Sequence, residues 1–311
     1  MLPASELIKP FAWDAGRMQR HKSWRFVAAS NVSQDIDALV AWASQQPDPI
    51  GVLQKEAVPT PVLTQLGSSL AHELDHGSGV AWVRGFAGVS EQALRLVFLK
   101  IGLELGATID TYGRLYDVTD SGESYRDKPI PVSQTRESTG MHTDSSNRDT
   151  HPRIIGLGCV RQAKQGGKSR VVSAAHVHEL MREQAPALLE MLYGDFVRDL
   201  VTPNSRRDLA RLAANCFPIF SYDHKPVIRY MRYWIEKGHE RLGEPLSIDV
   251  IRAFDCLDTL LADPKNILFF RMEPGDLLFI DNTTILHDRD AYVDDQDAPR
   301  LLLRLWLDRG A

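Results

Sequence analysis

The chain is poor in cysteine. Cys159, Cys216 and Cys256 are far apart and odd in number, and no CxxC pair occurs. That argues against a disulfide framework or a structural zinc site and suits a reducing compartment. There is no block of five or more like charges, and a formal net charge of −5 over 311 residues leaves no basic footprint for a nucleic acid. No window approaches 18 uncharged apolar residues, so nothing reads as a membrane span. The opening MLPASELIKPFAWDAGRMQRHK lacks an unbroken apolar core behind a basic start and does not read as a secretory signal. Repeats and low-complexity linkers are missing as well. The expectation is a cytoplasmic enzyme or binding protein whose partner is a small molecule, neither nucleic acid nor membrane. Oligomeric state is not written in these features.

What is present is a chain that is 43% hydrophobic, enough for one large core. The first third reads as mainly helical. Thr60-Pro61 looks like an N-cap followed by proline at the first helical position, with a helix running to Gly77. Ser90 caps a second helix, and Gly106 stands where a left-handed C-terminal cap belongs. VAWVRGF (80–86) between them reads as a strand. Beyond residue 110, short apolar runs alternate with turn residues: IIGLGCV, SRVVSA, KPVIRYMRYWI, ILFFRM, DLLFID and RLLLRLWL. Two helices interrupt them, one starting at Ser173 and broken at Pro186, the other following Ser247. Many short strands with helices outside predict a β-rich α+β fold, a barrel or a jelly roll. The expected organisation is a single domain over 1–311, with a helical layer at 1–79 and a β core with helical insertions at 80–311.

The stretch TGMHTDSS contains His142 and Asp144. If it is extended, residues i and i+2 project to one face, and the pair can grip a cation from one side. A third ligand must come from elsewhere, and His287, just beyond the apolar strand PGDLLFID, is the best candidate. By period two, Arg300, Leu302 and Arg304 share one face of RLLLRLWL. Two arginines on such a strand are expensive to bury without anions, and a guanidinium fork grips carboxylates well. Ser169 follows Gly166-Gly167, a pair that permits a tight turn and close backbone approach.

His-x-Asp, a distant histidine and then an arginine is the layout of a two-histidine, one-carboxylate site with an anion clamp. On GMHTD, QGGKS, PGDLLFIDN…LHDR and PRLLLRLWL, the sequence resembles the Fe(II)/2-oxoglutarate dioxygenases of the taurine dioxygenase and clavaminate synthase-like superfamily, over roughly residues 80–311. The resemblance implies a double-stranded β-helix, or jelly-roll, core. It implies that His142, Asp144 and His287 hold iron, and that Arg300 and Ser169 hold the distal carboxylate of 2-oxoglutarate. Relatives often have threonine at the serine position. Clavaminate synthase-like members often carry glutamate where Asp144 stands, and halogenating relatives carry a small residue there, so Asp144 argues against halogenation. The implied reaction uses Fe(II), 2-oxoglutarate and O2 to hydroxylate an unactivated C–H of a small amino-acid-like or natural-product molecule, free or carrier-bound, with succinate and CO2 as co-products.

Substrate contacts are expected from Arg304 and from Gln134, Arg136 and Glu137 in the polar loop SGESYRDKPIPVSQTRES leading into the metal motif. Arg232 joins them if Arg229–Tyr233 is a strand. Alternatives are desaturation at the same site and a non-catalytic ligand-binding jelly roll. A zinc hydrolase on His72, Glu73 and His76 has helical i, i+4 spacing but no evident third ligand. His176 and His178 sit two apart on a helix and point in different directions, so they cannot share a metal.

Overall fold

The computed structural model describes residues 11–123, 135, 138, 140–146, 151–199, 208–295 and 297–309. Strands and helices are numbered in chain order, with α1 (Ala15–Arg20), α3 (Pro49–Val52) and α8 (Leu209–Ala214) as short helices. The larger sheet runs β1 (Arg25–Val27), β2 (Val80–Arg84), β13 (Leu277–Asp281), β5 (Ile154–Arg161), β16 (Leu301–Asp308) and β3 (Ala107–Thr108), with β4 (Tyr116–Val118) also paired to β16. The smaller sheet is β12 (Leu268–Phe270), β7 (Ser169–Ser173) and β14 (Ile285–Arg289). Three two-stranded sheets, β8 (Asp195–Val197) with β9 (Cys216–Pro218), the hairpin β10 (Phe220–Asp223) with β11 (Lys225–Ile228), and β6 (Gln165–Gly166) with β15 (Tyr292–Val293), complete the strands. β1 and β2 are parallel, and every other described pairing is antiparallel.

Strict alternation sorts the side chains into four layers. Leu277, Phe279, Leu303, Leu305 and Leu307 turn outward from the larger sheet onto helices α2 (Val32–Ala43), α4 (Pro61–His76) and α5 (Glu91–Leu105). Leu278, Ile280, Ile155 and Leu302 turn inward and meet Val171, Leu268, Phe270 and Ile285 of the smaller sheet. Val172 and Leu286 leave the other side of the smaller sheet and pack under α6 (Ala174–Gln184), α7 (Pro186–Met191) and α10 (Ile248–Ala262). Because both its faces are covered, β13 is buried along its whole length. Two sheets face to face with helices outside make this a jelly roll, as the strand pattern predicted. Among the described residues no helix is long and apolar enough to cross a membrane.

Several local expectations hold. Ser90, Ser173 and Ser247 each accept a backbone N–H three residues on, from Ala93, His176 and Val250, and the helix after Ser173 breaks at Pro186. Others are corrected. Thr60 occupies the N-cap position of α4, but its side chain makes no cap bond. Gly106 has φ 171°, an extended and not a left-handed conformation. Glycine is needed there because a Cβ would lie 2.3 Å from the Asp308 carbonyl oxygen. The helical N-terminal layer also contributes a strand, β1, to the edge of the larger sheet.

The largest correction concerns KPVIRYMRYWI, expected as one strand. β11 ends at Ile228, and α9 (Arg232–Leu242) begins four residues later. Trp234, Ile235 and Gly238 are buried at helical spacing, Arg232 pairs with Glu236 one turn on, and Gly243 closes the helix at φ 71°. Five residues that alternate by two were too few to outweigh this helical period.

Candidate active site

The cavity between the two sheets, about 160 Å³, receives the inward side chains of β16 and β14: Leu302, Arg304 and Trp306 from one, His287 and Arg289 from the other. GMHTDS is not a regular strand, contrary to the extended reading. His142 alone forms an antiparallel bridge, donating its N–H to His287 O at 3.1 Å and accepting from His287 N at 2.9 Å. The chain turns at once through Asp144 and Ser145, the latter at φ 55°. The fully buried Asn282 clamps this turn. Its Oδ1 accepts from Asp144 N at 2.8 Å, and its Nδ2 donates to Asp144 O at 3.1 Å and Pro152 O at 2.9 Å.

This backbone brings the two imidazoles to a centroid separation of 4.5 Å. His142 Nδ1 lies 3.0 Å from Gly140 O. A carbonyl only accepts, so Nδ1 carries a proton, and in the neutral ring the lone pair is on Nε2. The Nε2 atoms of His142 and His287 each lie 3.6 Å from Asp144 Oδ1, too long for a hydrogen bond. Oδ2 is engaged elsewhere: Trp306 Nε1 donates to it at 2.9 Å, and Arg304 Nη1 lies 3.2 Å away. One carboxylate oxygen is thereby fixed, and the other faces two nitrogens.

Among the described residues neither ring nitrogen of the buried His287 has a hydrogen-bond partner. Such a group is costly unless a ligand satisfies it. His142, Asp144 and His287 offer one donor atom each within 4.8 Å of one another, and they form the one such cluster of three or more among the described residues. Two imidazole nitrogens and one carboxylate oxygen are the donor set of a non-haem Fe(II) site, so the residues present fit that metal.

Electrostatics agree. Burial alone would raise the Asp144 carboxyl, but the Arg304 guanidinium and both imidazoles hold it well below the usual carboxylate range. Burial also pulls His142 down, yet Asp144 carries it above the ordinary imidazole value. His287 is lowered by burial and then by His142. The neighbouring guanidinium and imidazoles thus keep the aspartate ionised, and burial keeps the His287 imidazole neutral, as metal ligands must be.

Arg300 is 4% exposed and lines the same cavity. Its Nε donates to Gln162 Oε1 at 3.3 Å and its backbone N to Asp294 Oδ1 at 2.6 Å. Burial, then the neighbouring Arg289, pushes the guanidinium down to about 10. Among the described residues no ion pair to Arg300 is formed. A buried cation without a counter-ion calls for an anionic ligand. Ser169 opens β7 beside it, and the preceding Gly166 and Gly167 take φ 73° and 68°, the tight turn that the glycine pair predicted.

Of the expected substrate residues, Arg304 lines the cavity but is tied to Asp144. Arg232 is a correction. Its guanidinium is held by Glu236 at 2.6 Å, Asp255 at 2.7 Å and Asp258 at 2.9 Å, and it is not part of the cavity wall. Gln134, Arg136 and Glu137 lie outside the described residues. Among the described residues neither helical histidine pair belongs to a cluster of three or more metal-ligating groups. His176 faces Asn266 and His178 faces Tyr193, while Glu73 accepts from Ser78 N and Oγ and so buttresses the end of α4. Sequence reasoning missed Trp306, although extending the Arg300–Arg304 alternation by one step reaches it. It also missed Asn282 and Arg289, and for Asn282 no periodic signal existed.

The fold and this donor set together define a non-haem Fe(II)/2-oxoglutarate-dependent dioxygenase. Residues 46–306 match the taurine catabolism dioxygenase TauD, TfdA family, and the chain belongs to that family. It is 29% identical over 310 residues to FR-33289 synthase of Streptomyces rubellomurinus, covering 95% of this chain and 88% of that one. Over 221 residues it is 27% identical to a uridine-5'-phosphate dioxygenase of Amycolatopsis sp, covering 68% and 78%. Among solved structures, asparagine oxygenase with Fe(II), 2S,3S-3-hydroxyasparagine and succinate superposes with a TM-score of 0.69 at 14% identity, covering 91% of this chain and 93% of that one. The non-haem iron oxygenase OrfP with Fe, succinate and (3S)-hydroxy-L-Arg superposes with a TM-score of 0.65 at 16% identity, covering 92% and 94%. These superpositions establish the shared fold.

Proposed function

We propose that this dioxygenase hydroxylates a C–H bond of a small amino-acid-like or natural-product molecule bearing an acidic group. His142, Asp144 and His287 would hold Fe(II), and Arg300 with Ser169 the distal carboxylate of 2-oxoglutarate. The observation that carries the reading is the convergence of two imidazole nitrogens and one carboxylate oxygen within 4.8 Å, in a cavity that also holds an arginine with no ion-pair partner among the described residues. When bound, Fe(II) with 2-oxoglutarate and O2 supplies the oxidising chemistry, releasing succinate and CO2 as oxygen enters the substrate.

The chain's own residues orient and exclude. Trp306 and Arg304 hold Asp144 Oδ2, so Oδ1 is presented to the metal position. The Gly140 carbonyl fixes the His142 tautomer. Val171, Leu278, Ile280 and Leu302 supply a dry wall. Tyr112 packs against Tyr116 and edge-on to Trp306, each at 5.5 Å, and gives the substrate side an aromatic surface. Arg304, whose Nε has no hydrogen-bond partner among the described residues, stands beside that surface and suits an acidic substrate group. A relative at 27% identity is named a dioxygenase of uridine 5'-phosphate, a small molecule with an acidic group.

The test is Fe(II)-dependent succinate formation from 2-oxoglutarate, with a panel of amino acids and small acidic metabolites screened by mass. A +16 product supports hydroxylation, and a −2 product replaces it with desaturation. His142→Ala is expected to abolish succinate release. Full activity in that variant would sink the ligand assignment.

A further inference from the structure

We propose that Asp288 and Ser138 form a latch that positions His142 against His287, so that both act on the metal site without touching the metal. The inference rests on the reading above, in which the two histidines are metal ligands. β14 is an edge of the smaller sheet, with β7 along one side of it. His287 directs both its backbone N–H and its carbonyl at His142, which sets the approach to the metal motif along the other side. Successive side chains of β14 then hold successively earlier positions of that approach. Asp288 Oδ2 accepts from Ser138 Oγ at 3.0 Å, and Arg289 Nη2 donates to Thr135 O at 3.0 Å.

The Asp288 contact is built to be stiff. Arg170 stands directly opposite Asp288 across the β7–β14 pair, forms an ion pair with it, and donates to Ser138 Oγ at 2.9 Å. The other carboxylate oxygen accepts from Arg289 N at 2.6 Å. The buried carboxylate is therefore fixed at both oxygens, and charge-assisted bonds of this kind are stronger than neutral ones. Asp288 is not one of the three clustered donor groups, so its part is to hold. What it holds is the start of a short stretch that contains Gly140, at φ 75°, whose carbonyl meets His142 Nδ1 and orients that ring. The His142–His287 bridge fixes one end of the stretch, and Ser138 fixes the other. Beyond His142 the chain has separate holds, with Thr143 N on Tyr230 O at 2.9 Å and Asn282 on Asp144. The latch thus governs the imidazole of His142 more than the carboxylate of Asp144.

The test is a double-mutant cycle read by Fe(II) titration under argon, with thermal melting in parallel. Ser138→Ala removes the hydroxyl and leaves the Asp288 charge in place, so its effect reads position and not field. It is expected to weaken Fe(II) by about fivefold to tenfold with little change in melting temperature. Ser138→Thr keeps a hydroxyl and should stay within about twofold of the wild type. In an Asp288→Ala background the further loss from Ser138→Ala should shrink to about twofold or less, because the two residues act through one contact. If Asp288→Ala does not fold, the Ser138→Ala and Ser138→Thr pair decides alone. A lowered melting temperature at unchanged Fe(II) affinity, or losses that simply multiply in the double variant, would overturn the proposal. A wild type that bound no Fe(II) would overturn the ligand assignment and this proposal with it, whereas wild-type binding that Ser138→Ala left untouched would overturn this proposal alone.

Discussion

Trp306 Nε1 donates a 2.9 Å hydrogen bond to Asp144 Oδ2, joining the last strand of the larger sheet to the turn that carries the carboxylate. The bond decides which oxygen is left for a metal. Trp306→Phe retains the ring packing and removes the donor. We expect Fe(II) affinity to fall by about 10-fold to 100-fold with little change in melting temperature. Titration with Fe(II) under argon checks this, and an unchanged affinity would show that Arg304 alone orients the carboxylate.

Asn282 is fully buried and holds Asp144 through both backbone polar groups. Asn282→Ala leaves those groups and Pro152 O without a partner. The expected cost is about 2–4 kcal/mol of unfolding free energy, read by chemical denaturation. A loss below about 0.5 kcal/mol would mean that the turn holds itself.

His151 gives the fold an acid sensitivity. Its Nε2 lies 3.1 Å from Asn282 Nδ2, and burial followed by Arg229 lowers the imidazole to about 3. The unfolded chain binds a proton near pH 6.5 and the folded chain does not until about pH 3. Stability from this group is therefore complete above pH 6.5 and falls as pH drops toward 3, by at most about 1.4 kcal/mol per pH unit. His151→Gln, which stays polar and does not titrate, should flatten the stability profile over that window.

Arg232 separates the corrected reading from the strand reading. Its network with Glu236, Asp255 and Asp258 ties α9 to α10 at a half-exposed site. Arg232→Ala is expected to cost about 1 kcal/mol of stability and to leave kcat/KM for the substrate within twofold. A large loss in kcat/KM at unchanged stability would return this residue to the substrate pocket.

Much of the site was legible because its residues follow simple local rules. The three donors were named from residue type and spacing, and the alternation along RLLLRLWL correctly put Arg300 and Arg304 on one inward face. The same rule misled at Arg229–Tyr233, where five alternating residues precede a helix. It stopped short at Trp306, and it had nothing to say about Asn282, whose role is to grip a turn distant in sequence.

The sequence by itself determined the chemistry on offer: two imidazoles, a carboxylate, a hydroxyl and arginines, in an order and period that a jelly roll can use. Only the tertiary structure decided where they meet. The bridge between His142 and His287 and the hold of Asp288 on Ser138 depend on strand register and on the stacking of two sheets. Those are set by long-range packing of the core, which no local window of residues encodes.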